Sequence, residues 1–189
     1  MNSIRKPTAI VYKLLISWVS EYLTCEKMAA YVLSTANYHS EKIAFIDLDI
    51  DTRCDYLSVM TLIGLKQIIG KKVESLVKCD YIYEDYSGDT SALYGRGFGY
   101  TKILNPKLKD DENNIDMMNI NELTEYSKTF QIIVINMRDR NIEIAKNLNV
   151  QGISARILYL WGSDTSMSKA KIKEIVNDFK GVHFCREIY

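Results

Sequence analysis

The stretch Lys42–Gly70, KIAFIDLDIDTRCDYLSVMTLIGLKQIIG, constrains this chain most. Ile43 to Ile46 is an apolar run of the length a buried strand needs. Asp47, Asp49 and Asp51 alternate directly after it. Leu57, Met60, Leu62, Ile63, Leu65, Ile68 and Ile69 then recur with mostly helical spacing, Asp55 stands where an N-cap belongs, and Gly70 closes the run. A strand, an acidic loop and a helix in that order open a βαβ unit. Open parallel sheets hold ligands at the carboxyl ends of their strands, so any site here should involve the acidic loop.

The rest of the chain repeats the alternation. Val73–Val77 is the second predicted strand. Gln131–Ile135 is the third and central one, because it is apolar on both faces. Ile157–Leu160 and Val182–Cys185 follow. Short helices are predicted over 122–128 and 141–148. A longer one runs over 165–179, capped by Ser163 or Asp164, with Ile172, Ile175, Val176 and Phe179 as its apolar stripe. Cys79–Tyr86 is aromatic and acidic and either extends the second strand or covers it. The stretch 105–121 is a polar surface excursion. The fold class is therefore α/β: a three-layer, Rossmann-like domain over 41–189, with a mainly parallel sheet of about five strands.

Residues 1–40 form a separate helical segment. Val11, Leu14, Leu15, Trp18, Val19 and Tyr22 recur at helical spacing over 8–23, Pro7 suits the first turn, and the pattern resumes over 26–33. An amphipathic helix is expected to pack inward on the sheet. The sharper alternative is a helix that docks on a partner protein. Arg5, Lys6 and Lys13 are too few and too clustered for the basic face of a membrane-surface helix.

Composition excludes several classes. The 189 residues suit one domain, and a formal net charge of zero gives no global field for nucleic acid or anionic lipid. The four cysteines include no CxxC pair, and His39 and His183 are the only histidines, so a structural zinc site is not expected. No cofactor is expected either. With no secretory pattern and no run near ~20 apolar residues, a cytoplasmic protein with reduced thiols and no membrane span is expected.

Several residues are candidates for chemistry. Asp47, Asp49 and Asp51 could gather around a divalent cation, as D-x-D motifs do. The plainer reading is helix capping and solvent-facing carboxylates. A haloacid-dehalogenase pattern fails, because Thr52 falls at the wrong position in either alignment. Gly95, Gly97 and Gly99 alternate around Arg96 and Phe98. That G-x-G-x-G is not a dinucleotide fingerprint. It reads either as a loop using unusual backbone angles or as a backbone-lined pocket with Arg96 facing an anion. Arg138 and Arg140 sit just past the third strand, either solvated or placed for a phosphate. His39 and His183 lack the setting of a general base, and carboxylates beside Cys54 would raise rather than lower its thiol pKa.

A set of short motifs resembles one family. D-T-R-C-D-Y from Asp51, G-L-K-Q-I-I-G from Gly64, V-E-S from Val73, D-Y-I-Y from Asp80, L-Y-G-R-G-F from Leu93 and H-F-C-R-E-I-Y from His183 occur in that order. The order resembles the amino-terminal half of bacterial glycosyltransferase-like proteins related to spore-maturation glycosyltransferases, which have two Rossmann-like domains of the GT-B kind. The resemblance runs from about Lys42 onward. It departs at Trp161-Gly162-Ser163-Asp164, where only Asp164 keeps an acidic strand end. The resemblance implies a half-enzyme that binds a nucleotide-sugar or a glycan, with Asp49, Asp51, Arg96, Gly97, Arg138 and Asp164 along the cleft. The implied mechanism is metal-free stabilisation of a leaving diphosphate by arginine and backbone N–H groups. The rivals are a non-catalytic interaction protein that kept the fold and a metal-dependent phosphotransferase built on the aspartates.

Overall fold

The computed structural model describes residues 9–53, 55–110, 119–138, 140–153, 155–162 and 168–185. Five strands form one sheet: β1 (Ile43–Ile46), β2 (Val73–Ser75), β3 (Ile132–Asn136), β4 (Arg156–Trp161) and β5 (Val182–Cys185). Their order is β2-β1-β3-β4-β5. Every neighbouring pair is parallel, with Ile43 beside both Val73 and Ile132, and Ile132 beside Arg156. The sheet is thus wholly parallel, and its direction of growth reverses between β1 and β3. Crevices for ligands open at such switch points.

The two faces are read directly from alternation along the strands. Ile43, Phe45, Ile132, Val134, Leu158 and Leu160 turn to one face, where α2 (Cys25–Thr35) and α3 (Tyr56–Ile69) cover them. Ala44, Ile46, Ile133, Ile135, Ile157 and Tyr159 turn to the other, beneath α4 (Ile120–Ser127), α5 (Asn141–Val150) and α6 (Lys169–Asp178). All four residues of β1 and all five of β3 are buried, as strands covered on both faces require.

Local chemistry sets the helix ends. The Asp55 carboxylate accepts the Leu57 N–H at 2.9 Å and starts α3. Asn119 and Glu122 form a reciprocal capping box on α4. The last described helix begins at Lys169, with the Ser168 hydroxyl accepting Lys171 N–H. The cap expected from Ser163 or Asp164 lies outside the described residues. Ile175 and Phe179 of the expected stripe are buried, but Val176 is 45% exposed, because α6 turns that side away from the sheet.

The amino-terminal segment departs from expectation. α2 packs inward, with Ala29, Val32 and Leu33 buried. α1 (Ala9–Tyr22) does not: Ile10 to Tyr22 are all exposed. The positions over the sheet on that side are already taken by α2 and α3, so α1 has no apolar face left to cover. Among the described residues no helix is long and apolar enough to cross a membrane.

Between β2 and α4 the chain makes an excursion. Three short 3-10 turns, Asp80–Ile82, Tyr94–Gly97 and Pro106–Leu108, carry it over the α3 face, and one parallel bridge joins Tyr83 to Leu104. A fully buried ammonium anchors it. Lys66 Nζ on α3 donates to Val73 O at 3.0 Å, Leu108 O at 3.2 Å and Asp110 Oδ1 at 2.7 Å.

Candidate functional site

The acidic loop after β1 divides its aspartates among three tasks. Asp47 is buried at the switch point and accepts four hydrogen bonds. Ser58 Oγ (2.6 Å) and Asn136 Nδ2 (2.8 Å) donate to Oδ2; Asn141 Nδ2 (3.1 Å) and the Asp49 N–H (3.2 Å) donate to Oδ1. Asn136 ends β3 and Asn141 starts α5, so this carboxylate joins β1 to β3 and both helix layers. Asn141 Oδ1 also accepts the Leu48 N–H at 2.8 Å. A buried carboxylate with both oxygens so occupied is a brace, not a free base.

Asp49 is also buried. Its Oδ2 pairs with Arg53 Nη2 at 3.2 Å, one turn along. Asp51 is exposed and looks into a cleft of about 560 Å3 at the carboxyl ends of the strands. Leu48 and Asp51 after β1, Leu76, Lys78 and Asp80 after β2, and Arg140 after β3 meet there. Tyr81, Tyr86 and Leu123 complete the described lining together with Val77. Lys78 Nζ lies 3.4 Å from Asp80. The Tyr81 hydroxyl donates to Ile50 O at 2.5 Å, which fixes the aspartate loop against the excursion. The volume is that of a small-molecule site, and the walls combine two cations, two carboxylates and two phenol rings.

The other expected site residues lie as follows. Arg138 is half-buried just past β3, where its carbonyl accepts Asn141 N–H at 3.0 Å. Arg96 is exposed on the turn over α3 and is not among the cleft's lining residues. Its φ is +55°, and Gly95 (+56°), Gly97 (+75°) and Gly99 (+83°) share the left-handed region. The repeat therefore puts Gly95, Arg96, Gly97 and Gly99 in the left-handed region, with Phe98 extended between the last two, and glycine adopts that region at little cost. Gly97 is buried; a Cβ there would lie 2.5 Å from Thr101 Cγ2. Tyr56 OH donates to Phe98 O at 3.2 Å and Tyr100 OH to Tyr94 O at 2.6 Å, so the backbone is held while Tyr94, Arg96 and Phe98 face solvent. Asp164 lies outside the described residues. The structure thus places Asp51 in the cleft, Asp49 behind it and Arg96 on a separate turn.

The residues that sequence reasoning left out are Lys78, Asp80, Tyr81 and Tyr86 in the cleft, and Ser58, Asn136 and Asn141 around Asp47. Three tyrosines in six residues were a signal for the excursion. Nothing in the sequence marks the two asparagines.

Among the described residues no three His, Cys, Asp or Glu side chains gather so as to hold a metal ion. The described lining of the cleft has no histidine, cysteine or serine. His183 is committed elsewhere: its Nδ1 accepts Trp161 Nε1–H at 3.0 Å, so the proton is on Nε2, which faces Phe179 O at 2.9 Å. Burial holds its pKa below the usual value. Burial, with Asp110, Cys79 and Asp80 nearby, pushes the Tyr83 phenol upward. The site can bind and orient by charge and hydrogen bonding, and among its described residues no serine, cysteine or histidine stands beside a base. No family model matches this chain, and no curated protein or solved structure is significantly similar to it.

Proposed function

We propose that this chain is a glycosyltransferase-like binding domain that holds a nucleotide-sugar or a glycan in the cleft over β1, β2 and β3. One observation carries the reading. The cleft lies at the carboxyl ends of a wholly parallel sheet, beside its switch point, and joins cations to carboxylates and phenol rings. Lys78 and Arg140 suit a diphosphate. Asp51 and Asp80 accept from sugar or ribose hydroxyls, and Tyr86 offers a ring for a sugar or base face. Arg140 takes the diphosphate-neutralising role that the family resemblance implies for an arginine. Asp51 is the expected residue that this reading uses. The lining supports binding, because among its described residues no serine, cysteine or histidine stands beside a base. For the same reason the aspartates do not favour a metal-dependent phosphotransferase: Asp47 is saturated with donors and Asp49 is paired with Arg53.

The test is a thermal-shift and calorimetric screen of nucleoside diphosphates, nucleotide-sugars and free oligosaccharides, with and without Mg2+. A ligand at 100 times its dissociation constant adds about 2.7 kcal/mol to stability. Arg140→Ala and Lys78→Ala are expected to weaken a nucleotide ligand at least tenfold, about 1.4 kcal/mol, and Asp51→Asn to weaken a sugar ligand. A flat screen with the folded chain would remove this reading. The second reading, an interaction protein that kept the fold, is favoured by the exposure of α1.

A further inference from the structure

The turn Tyr94–Gly97, with Phe98 after it, presents side chains that the fold itself does not use. Phe98 is 83% exposed and Tyr94 63%, and the Arg96 guanidinium between them has no partner among the described residues. The backbone beneath them is fixed. The Tyr56 and Tyr100 hydroxyls hold the carbonyls of Phe98 and Tyr94, Thr101 Oγ1 donates to Gly97 O at 3.0 Å, and a Cβ on Gly95 would lie 2.9 Å from the Tyr56 hydroxyl. Arg96 is one of three described non-glycine residues at positive φ. A β-carbon crowds the backbone there, so the position suits glycine, which flanks Arg96 on both sides. Surroundings that hold another residue in that conformation serve the side chain it presents. Rings and a guanidinium on a fixed turn are ready binding groups, because little freedom is lost when a ligand covers them.

The turn is joined to the cleft. Tyr94 stands edge-on to Tyr56 at 5.5 Å, Tyr56 to Tyr100 at 5.3 Å and Tyr100 to Tyr81 at 5.7 Å, and Tyr81 lines the cleft. Tyr56 opens α3, which leaves the carboxyl end of β1, so turn and cleft lie at the same end of the sheet. We propose that Tyr94, Arg96 and Phe98 form an outer subsite for an uncharged oligosaccharide whose first sugars occupy the cleft. The proposal rests on the reading of the cleft as a ligand site, and it selects the glycan over the nucleotide-sugar. Charge makes that selection. In the cleft Lys78 and Arg140 are matched by Asp51 and Asp80, and Lys78 and Asp80 already pair at 3.4 Å. From Lys78 to Leu104 the excursion sets Asp80, Glu84, Asp85 and Asp89 against Lys78, Arg96 and Lys102. A surface with more acids than bases does not attract a polyanion, so a nucleic acid or an acidic polysaccharide suits it less. Area disfavours a protein. Rings of these sizes and exposures offer on the order of 300 Å2, well below the ~800 Å2 that each partner contributes to a standard protein interface. Their apolar faces take the C–H faces of sugars, while Arg96 donates to hydroxyl oxygens.

The test is titration calorimetry of the full chain with disaccharides and hexasaccharides of the cello, malto and N-acetylchito series, beside uridine diphosphate and a single-stranded oligonucleotide. A hexasaccharide is expected to bind about tenfold or more tighter than its disaccharide, which burial of one exposed phenyl ring supplies. Phe98→Ala is expected to remove that gain, leave disaccharide binding as it was and leave the melting temperature unchanged, because the ring packs on nothing beneath it. Arg96→Gly is expected to weaken the hexasaccharide without lowering the melting temperature, since glycine suits that backbone. Equal affinity for both lengths overturns the subsite and leaves the cleft reading standing, and so does a gain that survives Phe98→Ala. Binding of uridine diphosphate with none of the oligosaccharides also overturns the subsite and makes the cleft a nucleotide site. An oligonucleotide that binds the wild-type chain but not Phe98→Ala assigns the turn to nucleic acid instead. A flat response to every probe removes the cleft reading and the subsite together.

Discussion

Asp47 shows how much one side chain decides. Its four donors come from the chain itself, and each buried donor left without an acceptor costs about 1–3 kcal/mol. Asp47→Leu is expected to lose ~3 kcal/mol or more. Asp47→Asn is expected to lose only ~1 kcal/mol. The reason is that Asn136 Oδ1 is buried with no hydrogen-bond partner among the described residues. If the Asn136 amide turns over, that oxygen accepts from the new amide, and Ser58 rotates to suit. Urea unfolding of the two variants measures the gap, and equal losses would show that the charge matters more than the donors. Little of this was legible in the sequence. The run of aspartates announced an acidic loop at a strand end, and it is there. Which aspartate turns inward depends on Asn136 and Asn141, some ninety residues away, and their nearness follows from β1 and β3 being neighbours. The cleft was hidden for the same reason: Asp51, Lys78, Asp80, Tyr86 and Arg140 come from loops that only the strand order brings together.

The elements themselves were legible where one physical pattern dominated. β1, β3 and β4 are apolar runs buried on both faces, and α3 has a capping aspartate and a closing glycine. Periodicity also found α1, but it reports only that a helix has an apolar side, not what covers that side. The contact between α2 and α3 is closer than sequence suggests. A Cβ on Gly64 would lie 2.1 Å from Cys25 O and 2.9 Å from Ala29 Cβ. Helix propensity alone would make Gly64→Ala stabilising by up to about 1 kcal/mol. The clash is with backbone, so α2 must move, and overpacking of this kind costs about 1–3 kcal/mol. A net loss is therefore expected in chemical denaturation; a gain would show that α2 shifts freely. Lys66 on the same helix holds the excursion after β2. Lys66→Met leaves Asp110 without its cation, takes one donor from Val73 O and leaves Leu108 O only the Tyr83 hydroxyl, and loss of one member of a buried pair costs about 3–5 kcal/mol. Asp110 keeps 21% of its side-chain exposure, so the lower end is expected. Hydrogen exchange should quicken first in residues 80–110, because the lysine ties that excursion to the sheet edge. Uniform quickening across the sheet would show that Lys66 supports the whole core instead.

At the scale of the whole molecule, two links at opposite ends of the sheet set the response to acid. At the amino ends of the strands, Glu41 accepts the N–H groups of His39 and Ser40, both at 2.8 Å, and pairs with Arg156 of β4. Arg156 also donates to Ala36 O and Asn37 O, so it ties the α2–β1 connector to β4. Those backbone N–H groups, more than Arg156, bring the Glu41 pKa down from 4.5 to about 2. The unfolded chain therefore takes up this proton first, and the contribution of Glu41 is complete above about pH 4.5 and lost as pH falls toward about 2. Towards the other end, β5 carries His183. Burial lowers its pKa below the ordinary 6.5, against the opposing effect of the Phe179 carbonyl. Protonation at Nδ1 would also put a second proton where Trp161 Nε1–H now donates. Its contribution is complete above about pH 6.5 and lost as pH falls through the lowered folded value. The loss from His183 begins at about pH 6.5 and that from Glu41 at about pH 4.5, so melting temperature recorded from about pH 8 to about pH 3 is expected to fall in two stages. His183→Gln is expected to flatten the first stage and leave the second; Glu41→Gln is expected to do the reverse. If His183→Gln instead leaves the decline below about pH 6.5 in place, the imidazole is protonated as readily in the folded chain as in the unfolded one, and the Trp161–His183–Phe179 chain of hydrogen bonds does not hold it neutral.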